Sequence, residues 1–399
     1  MSWLSGDQIG RSRATVMIVA LALFNIGFAF TLIWVAYVAP QPGAFNNSAA
    51  ALPDFAAFWA AGRLTLEGTP ALAYDWQAHR AVEVAGLGRD FAGWMPWHYP
   101  PPFQLVVTPL AMLPLWPAMA LWVTLTLGLY LWVCWRILPD PLALAAALAA
   151  APTAIILVNG QTGFLVAALL GLCLLVIDRR PVAAGIALGL IAIKPHLVLA
   201  VPFALAAGGR WRTFTAAGLT VIALAAVAWA VFGNAIWAAF VGSFNDTAGV
   251  FVGTAVGKAR WEMVANLYGW ARFQGASFGL ALALQAVLAL AILVPIMRAW
   301  HGDRLAPALK AALLCFATAA ITPRILNYDL HIILIGALFQ VRHALKVGFF
   351  TGEQLLLGGA ALAAYLSILF APGVAWMLAT VLFAGCWWGH ARRSEAASQ

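Results

Sequence analysis

The sequence predicts an all-α polytopic membrane protein. Of its 399 residues, 64% are hydrophobic and only 9% are charged, and the mean hydropathy is +0.91. Apolar runs follow one another from one end of the chain to the other. Because about 20 such residues cross a bilayer as a helix, we expect about ten to twelve transmembrane helices with re-entrant and external loop helices between them. They form one integral domain over residues 1–399, and the composition excludes a water-soluble enzyme.

The basic residues indicate orientation rather than a nucleic-acid partner. The chain has 22 Lys and Arg residues against 14 Asp and Glu residues, with a net charge of +8. In so apolar a chain, this excess is typical of cytoplasmic loops, which are enriched in Lys and Arg. We therefore expect no binding of nucleic acid. The four cysteines are far apart and have no metal-binding spacing.

The elements follow in order from the apolar runs. The first run, residues 15–39, is longer than a signal-peptide core and lacks a convincing cleavage site, so it predicts an uncleaved helix. Polar intervals predict external loops over about residues 40–100 and 233–275. The other apolar runs lie at residues 115–137, 141–158, 163–177, 181–207, 213–232, 276–297, 306–321, 325–341, 355–370 and 373–388.

One topology places most of the basic residues in the cytoplasm. It requires both termini to be cytoplasmic, residues 101–114 to dip into the membrane and return, and residues 181–207 to form a hairpin broken near Lys194-Pro195. The unusual polar motifs then converge on the opposite face. Since irregular backbone at membrane depth is tolerated only inside protein or beside a polar cavity, this convergence predicts an extracytoplasmic site.

Asp54 is the first candidate site residue, because it precedes an expected short helix over residues 55–66. Asp is a common N-cap, so a structural role is one interpretation. The other interpretation is chemical. A carboxylate at the outer membrane boundary is suited to take a proton from a sugar hydroxyl, and the two roles are compatible.

Two further segments bring polar and aromatic groups to the same boundary. Tyr99 lies on a stiff, proline-rich stretch, either as a rigid point where the chain enters the membrane or as the wall of a sugar path. Asn159 and Gln161 lie in a turn between two apolar runs. The turn needs no function, but side-chain amides also suit neutral sugar hydroxyls, since they donate and accept without adding charge.

Lys194 is the strongest local anomaly, since it stands inside an apolar run and next to Pro195. An ammonium within a membrane segment costs roughly 2.5–3.5 kcal/mol on insertion scales and marks a partner or a substrate pathway. The alternative is a lysine that snorkels to the interface from the tip of a hairpin. We favour an anionic partner.

The segment 322–331 places polar residues at the start of an apolar helix. If it is α-helical, one face combines four polar side chains, those of Arg324, Asn327, Tyr328 and His331, while Asp329 points away. Such a face can hold a phosphate, because Arg grips it with a planar fork. The alternative is a stabilised helix start with a buried histidine bonded to a neighbouring helix.

Common catalytic motifs are absent. The sequence has no phosphate-binding glycine-lysine loop, no dinucleotide-binding glycine motif, no H-E-x-x-H and no D-x-D pair. We expect no metal and no cofactor, so the energy for a reaction must come with the substrate.

Taken together, the motifs resemble glycosyltransferase family 87. They match in order and spacing from about Asp54 to His331, through Tyr74, Tyr99-Pro100-Pro101-Pro102-Phe103, Asn159-Gly160-Gln161, Lys194-Pro195, Arg210-Trp211-Arg212 and Tyr328-Asp329. The resemblance implies a GT-C-type fold in the plasma (inner) membrane and a polyprenyl-phosphate sugar donor, such as polyprenyl-phosphate mannose. It implies membrane lipids, that donor and a lipid or glycan acceptor as partners.

The resemblance gives Asp54 the role of general base, which deprotonates the acceptor in one inverting displacement. From charge and placement we expect Lys194, Arg324 and His331 to hold the leaving phosphate. We expect the sugar and acceptor pocket to include Tyr99, Asn159, Gln161 and Tyr328. Residues 263–269 depart from the more polar version common in the family, which leaves the acceptor open.

Three alternatives remain. A transporter or flippase of a lipid-linked sugar would use the same cations and aromatic residues without breaking a bond, and would survive Asp54→Asn. Another GT-C transferase would move arabinose or an amino sugar, or modify lipid A. A nonenzymatic scaffold leaves Lys194 and the Arg324 face unexplained.

Overall fold

The computed structural model describes residues 8–35, 53–91, 95–244, 261, 264–302, 304–366 and 372–396. Within these ranges every regular element is a helix, and the only β-structure is one antiparallel bridge between Val264 and Leu326. The prediction of an all-α protein is confirmed. Much of both expected external loops, residues 40–52 and 245–260, lies outside the described residues.

Seventeen α-helices are described in these ranges. They are α1 (Gln8–Ile33), α2 (Phe55–Leu66), α3 (Trp76–Leu87), α4 (Pro101–Leu110), α5 (Leu115–Ile137), α6 (Pro141–Ala149), α7 (Ala151–Asn159), α8 (Gly163–Val176), α9 (Pro181–Gly189), α10 (Val201–Ala207), α11 (Trp211–Gly242), α12 (Leu267–Phe273), α13 (Phe278–His301), α14 (Pro307–Ile321), α15 (His331–Val347), α16 (Glu353–Leu366) and α17 (Pro372–Ala396). Short 3-10 helices lie at Pro70–Tyr74, Leu190–Ile193, Pro195–Val198 and Asn327–Leu330.

Five helical segments of the described part are long and apolar enough to cross a membrane. They are Thr15–Ile33, Leu115–Ile137, Trp211–Gly242, Phe278–His301 and Asn327–Val347. The pair α6 and α7, which is bent by 65° at its break, makes a sixth if it counts as one span. The chain is therefore a multi-pass membrane protein.

Shorter apolar helices account for the larger number of spans expected from the sequence. Four of them have 10–17 residues and lie at Gly163–Val176, Pro181–Ile193, Pro195–Ala207 and Pro307–Ile321. Each falls short of the roughly 20 residues that cross a bilayer. The count of ten to twelve spans stays a prediction.

The long helices α11 and α13 carry apolar surface that no described residue covers. Leu219, Ile222 and Val231 of α11 and Val287 and Leu290 of α13 are all more than 60% exposed. Contiguous apolar surface of this kind fits a hydrocarbon environment rather than water. Along α11 the helix continues past a kink at Gly233 (φ 74°) to Gly242, so residues 233–242 do not form the loop that the sequence predicted there.

The apolar run 181–207 is broken where the sequence predicted a break. Lys194 has φ −137° and ψ 68°, and it separates the 3-10 helices Leu190–Ile193 and Pro195–Val198. Pro195 disfavours the α conformation in the residue before it and has no N–H to continue a helix. The chain turns at this point, and the Lys194 side chain is buried in the bundle.

The start of the run 325–341 differs from the prediction. Residues 327–330 form a 3-10 helix and the α-helix begins only at His331. The expected common face of Arg324, Asn327, Tyr328 and His331 assumed 100° per residue, whereas a 3-10 helix turns about 120° per residue. The prediction of one common helix face is therefore wrong, and tertiary contacts determine where these four side chains lie.

Candidate active site

Asp54 is positioned by the start of α2 but does not cap it. The residue has helical φ and ψ of −57° and −21°, and its side chain makes no hydrogen bond to the first turn. Its Oδ2 atom accepts a hydrogen bond from Gln161 Nε2 at 2.7 Å. Asp75 provides the contrast, since its Oδ1 accepts from the N–H groups of Gln77 and Ala78 and caps α3. The half-buried carboxylate of Asp54 therefore faces another segment of the chain.

Gln161 joins Asp54 to Tyr99. The Tyr99 hydroxyl donates to Gln161 Oε1 at 3.2 Å, and the Tyr74 hydroxyl donates to the Tyr99 carbonyl at 2.8 Å. The single amide of Gln161 thus donates to a carboxylate and accepts from a phenol. This arrangement fixes which end of the amide faces Asp54 and brings residues 107 positions apart into direct contact.

The turn that carries Gln161 requires its glycines. Gly160 has φ +69°, and a Cβ there would lie 2.7 Å from Phe55 Cβ. At Gly163, a Cβ would overlap the carbonyl oxygen of Tyr328. The glycines therefore let the turn contact both the residue after Asp54 and the 3-10 helix Asn327–Leu330. Asn159 ends α7 next to this turn and makes no side-chain hydrogen bond to a described residue.

Lys194 has an anionic partner, as the sequence favoured, and that partner is Asp329. Lys194 Nζ donates to Asp329 Oδ1 at 2.8 Å, and their side chains are 7% and 2% exposed. The ammonium also lies 4.8 Å from the centre of the Tyr328 ring and 5.9 Å from that of Tyr99. The sequence did not predict this partner, because an α-helix would place Asp329 on the opposite face, whereas residues 327–330 form a 3-10 helix.

Arg324 is held by a short paired segment. The Ala265 N–H donates to the Ile325 carbonyl at 2.8 Å, and Asn266 Nδ2 donates to the carbonyls of Thr322 and Pro323 at 2.6 and 3.0 Å. These bonds fix the backbone on both sides of Arg324, which is half-buried. Its positive charge reaches both His98 and Tyr328.

His331 lies in the helix core. It is 0% exposed, and its ring packs between those of Tyr130 and Phe164 at centroid distances of 5.0 and 4.9 Å. Its Nε2 lies 3.0 Å from Thr153 Oγ1 and its Nδ1 lies 3.3 Å from the Tyr328 carbonyl oxygen. These contacts match the structural alternative, a buried histidine bonded to a neighbouring helix. A role in phosphate binding stays a prediction.

Acidic and basic side chains lie close together at the site. Asp54 interacts electrostatically with Lys194, Tyr99 and Tyr328. Arg324 also acts on Tyr328, so the acidic and basic side chains at the site influence one another. Burial, with the positive charges of Arg324 and His79, lowers the pKa of His98 to about 4. His98 is therefore neutral at physiological pH and adds no cation. No group of three or more His, Cys, Asp or Glu side chains suited to a metal ion occurs among the described residues.

The comparison with known families gives one match. The family model described as glycosyltransferase family 87 matches residues 97–323, more than half of the chain. Tyr99, Gln161 and Lys194 lie inside the matched range, whereas Asp54 and Asp329 lie outside it. No curated protein and no solved structure matches the chain.

Proposed function

The chain belongs to glycosyltransferase family 87 and is a membrane glycosyltransferase, and on that premise we propose its reaction. It transfers a hexose, mannose being the first candidate, from a polyprenyl-phosphate donor to a lipid or glycan acceptor. Transfer takes place on the extracytoplasmic face of the plasma membrane, with both termini in the cytoplasm. The anomeric carbon is inverted in a single displacement, and Asp54 is the general base.

The observation that carries this proposal is the direction of the Asp54 carboxylate. An Asp before a helix usually bonds the N–H groups of the first turn, but Asp54 contacts Gln161 from another segment. The bond to Gln161 uses Oδ2, and Asp54 is half-buried rather than enclosed. A half-buried carboxylate that an amide from another segment holds in place is oriented for proton transfer with a bound hydroxyl.

In the proposed step, Asp54 takes the proton of the acceptor hydroxyl as its oxygen attacks the anomeric carbon. The bond from that carbon to the phosphate oxygen breaks, and its electron pair leaves with the polyprenyl phosphate. Because the sugar is already activated by the phosphate, the step needs no nucleotide, metal or cofactor. Tyr99, Asn159, Gln161 and Tyr328 would line the sugar and acceptor pocket.

Negative charge grows on the leaving phosphate, so the cations nearest the pocket would stabilise it. We assign this role first to Arg324, whose planar guanidinium suits phosphate oxygens. Lys194 is already neutralised by Asp329, and it would contribute through a shared hydrogen bond rather than as a lone charge. His331, which is enclosed by aromatic rings, is the least suited of the three predicted phosphate ligands.

The first test is sugar transfer by purified protein. We expect radiolabelled mannose to move from a synthetic polyprenyl-phosphate mannose to membrane lipids. Asp54→Asn should lower the rate about 100-fold or more, since general bases contribute about 10²–10⁴-fold, and should retain donor binding. Asp75→Asn is the matched control, because it removes a carboxylate that caps α3 and Asn caps helices equally well.

The outcomes separate the alternatives. Unchanged transfer in Asp54→Asn contradicts the base role. Absence of transfer by the wild type with several donors and acceptors, together with donor translocation in vesicles that survives Asp54→Asn, indicates a flippase. Transfer with another sugar donor in place of mannose changes the donor assignment but keeps the transferase.

A further inference from the structure

Helix α3 carries a buried acid and base that the proposed reaction does not use. His79 is 1% exposed and Glu83 is 0% exposed, and the two lie one helical turn apart. His79 Nε2 is 3.4 Å from Glu83 Oε1, within ion-pair reach. Neither ring nitrogen and neither carboxylate oxygen has a well-formed hydrogen bond to a described residue. Since buried polar atoms in proteins are nearly always hydrogen-bonded, packing alone does not explain this pair.

The pair lies beside the start of the candidate site. Helix α3 packs against α2, which begins directly after Asp54. The negative charge of Asp54 acts on Glu83, and the charge of His79 acts on His98. Arg80, on the same helix, is the other charged group that acts on Glu83. The pair is thus electrostatically connected to the proposed base.

Burial is the main influence on Glu83. It raises the pKa of the Glu83 carboxyl, and the charge of Asp54 raises it further, against the opposing effects of His79 and Arg80. His79 Nε2 and Glu83 Oε1 lie 3.4 Å apart, so an imidazole stands directly beside this buried carboxyl and can offset its negative charge.

We propose that His79 and Glu83 are positioning residues that act on transfer through Asp54. The His79 imidazole offsets the negative charge of Glu83, so that Asp54 does not face a second uncompensated carboxylate from the neighbouring helix. A second carboxylate without its histidine would compete with Asp54 for a proton, because like charges in one site cannot both ionise easily. This inference rests on the proposed role of Asp54 as the base.

The two single variants should move the pH profile of transfer in opposite directions. In Glu83→Gln, His79 can only add positive charge near Asp54, so the acid limb of kcat/KM shifts to lower pH. In His79→Gln, Glu83 can only add negative charge, so the acid limb shifts to higher pH. We expect each shift to be about 0.5–1 pH unit, and the double variant should return close to the wild type. Glu67→Gln is the matched control, since Glu67 is 49% exposed and paired with Arg63.

Thermal unfolding at a series of pH values tests the same coupling without an activity assay. A raised folded pKa gives stability that is present below the usual value of 4.5 and lost as pH rises through the folded pKa. Glu83→Gln should remove this loss. Asp54→Asn should reduce it, because the folded pKa of Glu83 falls when the neighbouring negative charge is gone.

Some results would overturn the proposal. If the acid limbs of both single variants shift in the same direction, or if neither shifts although the variants fold, the pair is merely structural. The same conclusion follows if Asp54→Asn leaves the pH dependence of unfolding due to Glu83 unchanged. If the wild type transfers no sugar, the proposed function fails, and the unfolding series still decides whether the pair and Asp54 are coupled. If one variant does not fold, the other retains its own expected direction.

Discussion

Two buried acid–base pairs in this protein have nearly the same geometry and very different surroundings. Lys194 and Asp329 are joined at 2.8 Å, and His390 and Glu353 at 2.7 Å, with all four side chains at most 7% exposed. Lys194 faces the rings of Tyr99 and Tyr328, and through Tyr99 it is connected to Gln161 and Asp54.

The surroundings of the second pair are closed. Glu353 Oε2 accepts from the Phe350 N–H at 3.1 Å, and the His390 ring packs on those of His343 and Phe350. These contacts tie α15, α16 and α17 together, beyond residue 323 where the family match ends. Burial and ion pairing are therefore shared by both pairs and do not identify a site. The Lys194–Asp329 pair differs because it is connected, through Tyr99 and Gln161, to the half-buried carboxylate of Asp54.

The largest expected effect comes from Lys194→Met. It leaves the Asp329 carboxylate buried without its cation, and breaking one partner of a buried pair costs about 3–5 kcal/mol. We expect a large fall in the thermal unfolding temperature and loss of transfer. Adding Asp329→Leu removes the uncompensated charge, so the double variant should regain much of the stability and still lack transfer.

Glu353→Gln is the matched test of the other pair. It removes the acid that His390 and the Phe350 N–H contact, and we expect lower stability with unchanged transfer per folded molecule. Restored transfer in the Lys194→Met, Asp329→Leu protein would make the first pair structural as well. Lost transfer in folded Glu353→Gln would remove the distinction between the two regions.

The sequence predicted the class of the fold because hydropathy and proline act locally. Apolar runs placed the long helices, and Pro195 placed the break at Lys194. Hydropathy and proline did not predict the 3-10 helix at residues 327–330. Its position depends on contact with Gly163, where a side chain would meet the Tyr328 carbonyl, and that contact joins segments far apart in the chain.

The sequence predicted which residues of the candidate site lie near one another better than it predicted which of them are in direct contact. Asp54, Gln161, Tyr99 and Lys194 were expected at one boundary, and three direct contacts involve them. The partner of Lys194 had a usable signal, since a buried ammonium needs an anion and Asp329 is one of only 14 acidic residues. The assumption of an α-helix at residues 327–330 placed Asp329 away from the site, so this signal was not used. The Asp54 side chain accepts a hydrogen bond from Gln161 and does not cap its own helix. No local sequence pattern predicts a contact between residues so far apart in the chain.

An intermediate effect is expected for Gln161→Leu, which tests the connection between Asp54 and Tyr99. The variant removes a hydrogen bond to a charged group, worth about 1.5–3 kcal/mol, and this corresponds to a roughly 10- to 100-fold fall in kcat/KM. Steady-state transfer measures it, beside unfolding to verify that the turn is intact. A variant that is folded and fully active would show that the amide does not orient the proposed base.

The smallest expected effect belongs to Asn159, and it is informative because its side chain has no hydrogen-bond partner among the described residues. Asn159→Ala should therefore leave the unfolding temperature unchanged, since no intramolecular bond is lost. If the amide binds a sugar hydroxyl, the KM for the donor rises by about 2- to 10-fold, as expected for a neutral hydrogen bond of about 0.5–1.5 kcal/mol. Unchanged KM and kcat would remove Asn159 from the pocket. Stability and transfer are linked at Lys194, whereas at Asn159 a change in transfer alone would report contact with the substrate.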